Sequence, residues 1–363
     1  MMQTEAAAGY RVVIDSIGKA SPVASKVLSE ALQLPSEIVF QALYQTPSVM
    51  LADIEKETAE KTAELLRQLG LEVSVQDQNE PAPEKAGKVD VAVYIPDAAM
   101  LPAVCRSLSE FLGCTQQDAL GLLLEEPAVV LGDVSPNTAQ ALSDRLPAEV
   151  MISNPKTASY TLLIQEADKL LLNQLQKYLS QRGIKADLNK EKTIPHLDYT
   201  STQEIWRRFQ STGMVKIINE SFERYELLLG AADHSHPRMR EKLMEYTGMP
   251  DDIVEEVLAQ LPIQLEASLN TADVQENIRK YQEAGMTCEV KRVSHKNYRL
   301  IIHRMGDIRK AKSILSRMLP EEALPQTTAT PWSATVPLND VMVRYAIAQL
   351  EQAGAVAEYE DFD

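Results

Sequence analysis

The sequence predicts an α+β fold of five tandem two-layer units, each ordered strand-helix-helix-strand-helix-strand around a three-stranded sheet. Three series of landmarks predict it. Pro47, Pro127, Pro195, Pro262 and Pro331 each stand at or just ahead of a short apolar run. Gly70, Gly213, Gly285 and Gly354 each end a helical pattern and precede a short strand. Tyr10–Ile14, Val91–Ile95, Tyr160–Ile164, Tyr225–Leu229 and Tyr298–Ile302 open the copies, four of them with Tyr. The series share a period of roughly 65–80 residues, that of small domains in an array. The copies span 9–76, 89–154, 159–219, 224–293 and 297–363.

In the first copy, Tyr10–Ile14 is apolar and β-branched, which suits a strand. Ser21-Pro22 reads as an N-cap with proline at the first helical position. Val23, Val27, Leu28 and Ala31 then make one helical face. Pro35 opens a second helix, with Glu37 in its first turn and Ile38, Val39, Ala42 and Leu43 as its apolar positions. Ser48–Ile54 is the second strand, followed by a helix over Glu55–Leu69, the Gly70 stop and a last strand, Leu71–Val75.

The later copies repeat this order through the strands Ala128–Val134, His196–Tyr199, Ile263–Leu269 and Trp332–Leu338. Ser135-Pro136 repeats the Ser-Pro helix start, and Pro250 with Asp251 and Asp252 opens the second helix of the fourth copy. Pro147 replaces the helix-stopping glycine in the second copy, whose final helix is expected one turn shorter. In the third and fifth copies the second helix is expected short or lost, because Ile184–Thr193 is polar and basic and Glu321–Thr330 contains Pro325. A unit this small is marginal alone, so neighbours are expected to dock on its open surfaces. The linker Asp77–Lys88 carries Pro81, Pro83 and several charges, so the first copy is expected to be the most mobile.

Composition narrows the function. Acids outnumber bases 52 to 36, giving a net charge of −16 that repels nucleic acid and anionic membrane. No apolar run approaches the roughly 18 residues of a membrane span, and Met1–Gly9 shows no secretory pattern. Cys105, Cys114 and Cys288 are sparse and odd in number, as for reduced thiols, so a cytoplasmic location is expected.

The element order and the phrase PSVMLADIEKETAEKTAELLRQLGLEVSV, with TADVQENIRKYQEAGMTCEV in the fourth copy, resemble the C-terminal domain of the bacterial ribosomal stalk protein. That fold is shared with the N-degron adaptor of the Clp protease. The resemblance implies the two-layer fold and, as a function, recruitment of translational GTPases through a lysine-rich, glycine-containing helix pair. In the first copy that stretch reads Leu32-Gln33-Leu34-Pro35-Ser36-Glu37, and in the fourth Thr247-Gly248 is followed by Asp251 and Asp252, acidic where the family is basic.

Motifs of catalysis are missing. Ile17-Gly18-Lys19-Ala20-Ser21 lacks the preceding glycine of a phosphate-binding loop, and there is no Gly-x-Ser-x-Gly, His-Glu-x-x-His or Gly-x-Gly-x-x-Gly. Asp233-His234-Ser235-His236 supplies two imidazoles without evident partners, and Cys105 and Cys114 read as core thiols, so no metal or cofactor is expected. One charge anomaly remains. Lys291, Arg292, Lys296, Arg299, Arg304, Arg309, Lys310, Lys312 and Arg317 fall in one stretch whose single acid is Asp307. It reads as a docking surface for an acidic protein, including another copy of the chain, or as a solvated face. Two functions are expected from this: a non-catalytic interaction scaffold that self-assembles, or an adaptor for a GTPase or AAA+ machine. An enzyme would need a site assembled between copies.

Overall fold

The computed structural model describes residues 9–362 apart from 21, 34, 166, 167, 189, 191 and 328. The first repeat runs β1 (Tyr10–Ser16), α1 (Pro22–Leu32), α2 (Ser36–Tyr44), β2 (Ser48–Ile54), α3 (Lys56–Gln68), β3 (Glu72–Asp77). The second runs β4 (Val89–Tyr94), α4 (Leu101–Leu112), α5 (Gln116–Leu124), β5 (Val129–Val134), α6 (Pro136–Ser143), β6 (Glu149–Ser153). The third is β7 (Tyr160–Ile164), α7 (Lys169–Gln181), β8 (Thr193–Leu197), α8 (Tyr199–Phe209), β9 (Val215–Asn219). The fourth is β10 (Tyr225–Ala232), α9 (Met239–Thr247), α10 (Val254–Leu258), β11 (Ile263–Leu269), α11 (Thr271–Gln282), β12 (Met286–Arg292). The fifth is β13 (Tyr298–Arg304), α12 (Ile308–Leu315), β14 (Trp332–Ser333), α13 (Asp340–Gln352), β15 (Val356–Asp361).

Each repeat owns one three-stranded sheet with its first strand in the middle, β2-β1-β3 being the pattern. The apolar first strands explain this, because a central strand is flanked on both edges; Val12 and Ile14, Leu227 and Leu229, and Leu300 and Ile302 are buried. The second helix is indeed absent from the third repeat among the described residues, and in the fifth it shrinks to one 3₁₀ turn, Glu321–Ala323. The final helix of the second repeat has 8 residues against 13 in α3. The Ser21 cap and the Val23 side chain lie outside what is described. Ser135 does cap a helix, its Oγ accepting the Thr138 amide at 3.2 Å, but the helix is α6, the last of its repeat.

The glycine stops hold: Gly70, Gly213, Gly285 and Gly354 have φ of 92°, 68°, 81° and 82°. At Gly70 a Cβ would also lie 2.8 Å from the Ala20 amide, so both conformation and space demand glycine. A second landmark is not legible as a motif. Asp53, Asp133, His196 and Ser268 take φ of 57–61° at a bulge in the second strand. Side chains receive three of these displaced amides: Gln78 that of Asp53 (3.4 Å), Asp90 that of Asp133 (3.0 Å) and Glu220 that of His196 (2.7 Å).

This landmark corrects one strand; a second, expected over Trp332–Leu338, is cut to β14, Trp332–Ser333, with Leu338 making only an isolated bridge to Tyr298. Pro47, Pro127 and Pro262 lie six residues before their left-handed residue and follow cis bonds, but Pro195 lies one residue before His196. Pro195 is therefore no counterpart of the others; it sits inside β8, which is Thr193–Leu197 and not His196–Tyr199, while Tyr199 starts α8. The sheet order β8-β7-β9 makes β8 an edge, where a strand tolerates proline.

The chain divides into two compact units, one of Met1–Pro155, Ile301–Ser333 and Val341–Glu358, the other of Lys156–Leu300, Ala334–Asp340 and Tyr359–Asp363. In the first unit one hydrophobic core joins the first two repeats, running from Val12, Ile14 and Leu66 to Val91, Leu108, Phe111 and Leu142. Tyr44 is the junction: its hydroxyl donates to Phe111 O (3.1 Å), and its carbonyl accepts from the Ser135 amide (3.0 Å) and the Thr138 hydroxyl (3.0 Å). Arg145 reaches back to the carbonyls of Gly18 and Ala20, and Asn137 to that of Asp15 (2.8 Å). The first repeat is thus packed against the second, contrary to the mobility its linker implied. The linker itself is clamped, since buried Arg11 donates to Glu80 O (2.9 Å) and Pro81 O. Val341 and Tyr345 of α13 join the same core, and Arg344 donates to Ile95 O (2.9 Å) and Pro96 O (3.0 Å).

In the second unit the third repeat packs around Leu162, Leu179, Ile205 and Phe209, and the fourth around Leu227, Leu229, Leu243 and Tyr281. Between them, Glu220 and Glu223 are buried. Glu223 accepts from Arg292 (3.1 Å) and the Tyr225 hydroxyl (2.7 Å), while Thr271 donates to Glu220 O (2.7 Å). Among the described residues no helix is long and apolar enough to cross a membrane.

Candidate docking surface

The nine cations of the basic stretch separate into two groups. Lys291 and Lys296 converge on Asp361, at 3.3 and 3.1 Å. Arg299 pairs with Glu360 at 2.9 Å and lies over the Phe362 ring, and Arg292 pairs with buried Glu223. Burial alone would raise the Asp361 carboxyl, but hydrogen bonds and charge from Lys296 and Lys291 hold it below the ordinary Asp value. These four cations serve internal pairs. Glu360 and Asp361 escaped notice in the sequence, although the topology carries a signal: β15 lies beside β13, which brings the chain's acidic end to the start of that strand.

Arg304, Arg309, Lys310, Lys312 and Arg317 are different. Among the described residues none makes an ion pair or side-chain hydrogen bond, and all but the half-buried Lys312 are exposed. Gly306 at φ 64° turns the chain out of β13, and Asp307 caps α12 by accepting the Arg309 amide (2.9 Å) and the Lys310 amide (3.3 Å). Ala311 and Leu315 are buried with Ile308 and Ile314 half-buried, which leaves Arg309 and Lys310 on the exposed side, with Arg317 exposed just past the helix end. Arg309 and Lys310 occupy the first turn, where the helix dipole disfavours positive charge by about 0.3–1 kcal/mol each. Their presence there does not serve the helix. The neighbouring His303 pairs with Glu358 at 2.7 Å.

Elsewhere two of the reactive side chains, Cys105 and Asp233, have structural partners. Cys105 is buried with its Sγ 3.0 Å from Gln116 O, and burial pushes the Cys288 thiol up to about 11, away from nucleophilic reactivity. Asp233 accepts the Ser235 amide and hydroxyl at 2.9 and 2.6 Å, forming a turn ahead of α9. Among the described residues no group of three His, Cys, Asp or Glu side chains is placed to hold a metal ion.

No family model matches the chain, and no curated protein matches it.

Proposed function

We propose that this chain is a non-catalytic interaction protein, a scaffold of five stalk-like repeats that docks an acidic protein surface on α12. The carrying observation is the group of five unpaired cations on and around that helix, two of them placed against its dipole, in a chain of net charge −16. Such a patch steers an acidic partner and fixes its register more than it adds raw affinity. Acidic surface is plentiful on the chain itself, so a second copy is the first partner to try. Three free thiols support a reducing compartment, and a cytoplasmic location is part of this proposal.

Light scattering across concentration and salt tests the idea. Growth that salt suppresses, and that Arg309→Glu with Lys310→Glu abolishes, is the expected result. A monomer under every condition turns self-assembly down and directs the search to a foreign acidic protein.

A second reading is an adaptor for a translational GTPase or an AAA+ machine. It is favoured by the place of α12 as the first helix of its repeat, the position of the first member of the helix pair that the stalk domain keeps lysine-rich. Fluorescence anisotropy with a purified translational GTPase and with a purified AAA+ unfoldase checks it; binding lost in the same double variant supports the adaptor, and no binding to either removes it.

A further inference from the structure

We infer a second binding site, independent of α12: a recess of about 600 Å³ at the open face of the fourth sheet that takes an organic cation, an alkylammonium or guanidinium group. It goes beyond the docking role proposed above and does not depend on it.

The recess follows from the alternation of the strands. Leu227 and Leu229 point to the helices and are buried, so Glu226 lies on the opposite face of β10, beside its register partner Lys291 on β12. Tyr298, Arg299 and the run Tyr359–Asp361 line the other side. The Tyr298 hydroxyl donates to Val293 O at 3.1 Å, and its ring stands edge-on to Tyr359 with centroids 5.0 Å apart. Tyr298 is buried and held, while Tyr359 is 39% exposed. One wall is therefore a fixed aromatic surface open to solvent.

Charge decides what fits. Both nearby lysines, Lys291 and Lys296, bind Asp361, and Arg299 binds Glu360. Glu226 is left over: among the described residues it makes no hydrogen bond and no ion pair. Its surroundings are half-buried, and that burial raises its carboxyl above the ordinary Glu value despite Lys291 and Lys296. A half-buried carboxylate without a partner is costly, and one cation with N–H donors would relieve it. The adjacent Tyr359 ring would add a cation–π contact. Lys291 and Arg299 also line the recess but already pair with Asp361 and Glu360, so an anion would compete with those carboxylates and meet Glu226 as well, and an apolar group would strip water from all of them.

Such a group could belong to a small polyamine or to a basic side chain of a partner protein. Calorimetry with full-length protein distinguishes the sources, using spermidine in one titration and the peptide acetyl-Gly-Lys-Gly-amide in the other. Saturable one-to-one binding of either probe is expected; spermidine alone marks a polyamine site, the peptide alone a side-chain site. Glu226→Gln should weaken binding about tenfold or more, and Tyr359→Ala about two- to fivefold. Because any chain of charge −16 attracts polycations loosely, Glu60→Gln on α3 is the control and should change nothing. Glu226→Gln should also melt no lower than wild type, since it removes a penalised carboxylate, so a loss of binding is not a loss of fold. Absence of saturable binding for both probes at millimolar concentration, or equal binding by Glu226→Gln and wild type, overturns the site.

Discussion

Glu220 and Glu223 are buried carboxylates that hold opposite ends of one short segment to their neighbours. Burial would raise Glu220, but the His196 amide, the Thr161 hydroxyl (2.9 Å) and the His196 ring together hold it below its ordinary 4.5. A carboxyl lowered in the folded state stabilises fully above its unfolded value, and that stability is lost as pH falls through the folded value. Urea titrations followed by tryptophan fluorescence between about pH 6 and pH 3 should therefore show a fall below 4.5 that Glu220→Gln flattens. Asp361, lowered by Lys296 and Lys291, contributes in the same direction. Glu223→Ala leaves Arg292 and the Tyr225 hydroxyl without their acceptor, and should cost about 2–4 kcal/mol by the same titration at neutral pH.

At the scale of elements, α12 separates stability from binding. Replacing Arg309 and Lys310 by Glu puts acids where the dipole wants them, so the thermal midpoint should hold or rise while salt-sensitive association disappears. A fall in both would mean that the two cations hold the fold. The strand and helix order of the repeats was legible because proline, glycine and tyrosine mark chain reversals whose causes are local. Pro195 misled because its spacing from neighbouring landmarks is close to that of the true series, and only the left-handed His196 shows the offset. The basic stretch was legible as a charge run; its partial neutralisation was not, because Arg292, Lys291 and Arg299 find acids 69, 70 and 61 residues away. The Glu226 recess had no signal in sequence, since its residues come from five strands whose faces only pairing defines.

At the scale of the molecule, repetition of sequence does not mean independence of folding. The first two repeats share a core, and Tyr44 spends its hydroxyl and its carbonyl on the second. A fragment of residues 9–76 should be largely unfolded by circular dichroism, whereas 9–154 should melt in one transition. Tyr44→Ala should lower that transition by about 3–5 kcal/mol, the cost of emptying a buried aromatic position.

The clamped linker has a consequence for how the protein behaves once cut. Lys85 and Lys88 are exposed between the two repeats, and Arg11 holds the carbonyls of Glu80 and Pro81 upstream of them. Trypsin should sever the backbone there quickly, yet the severed pieces should travel together through gel filtration, because the continuous core and not the peptide bond keeps them joined.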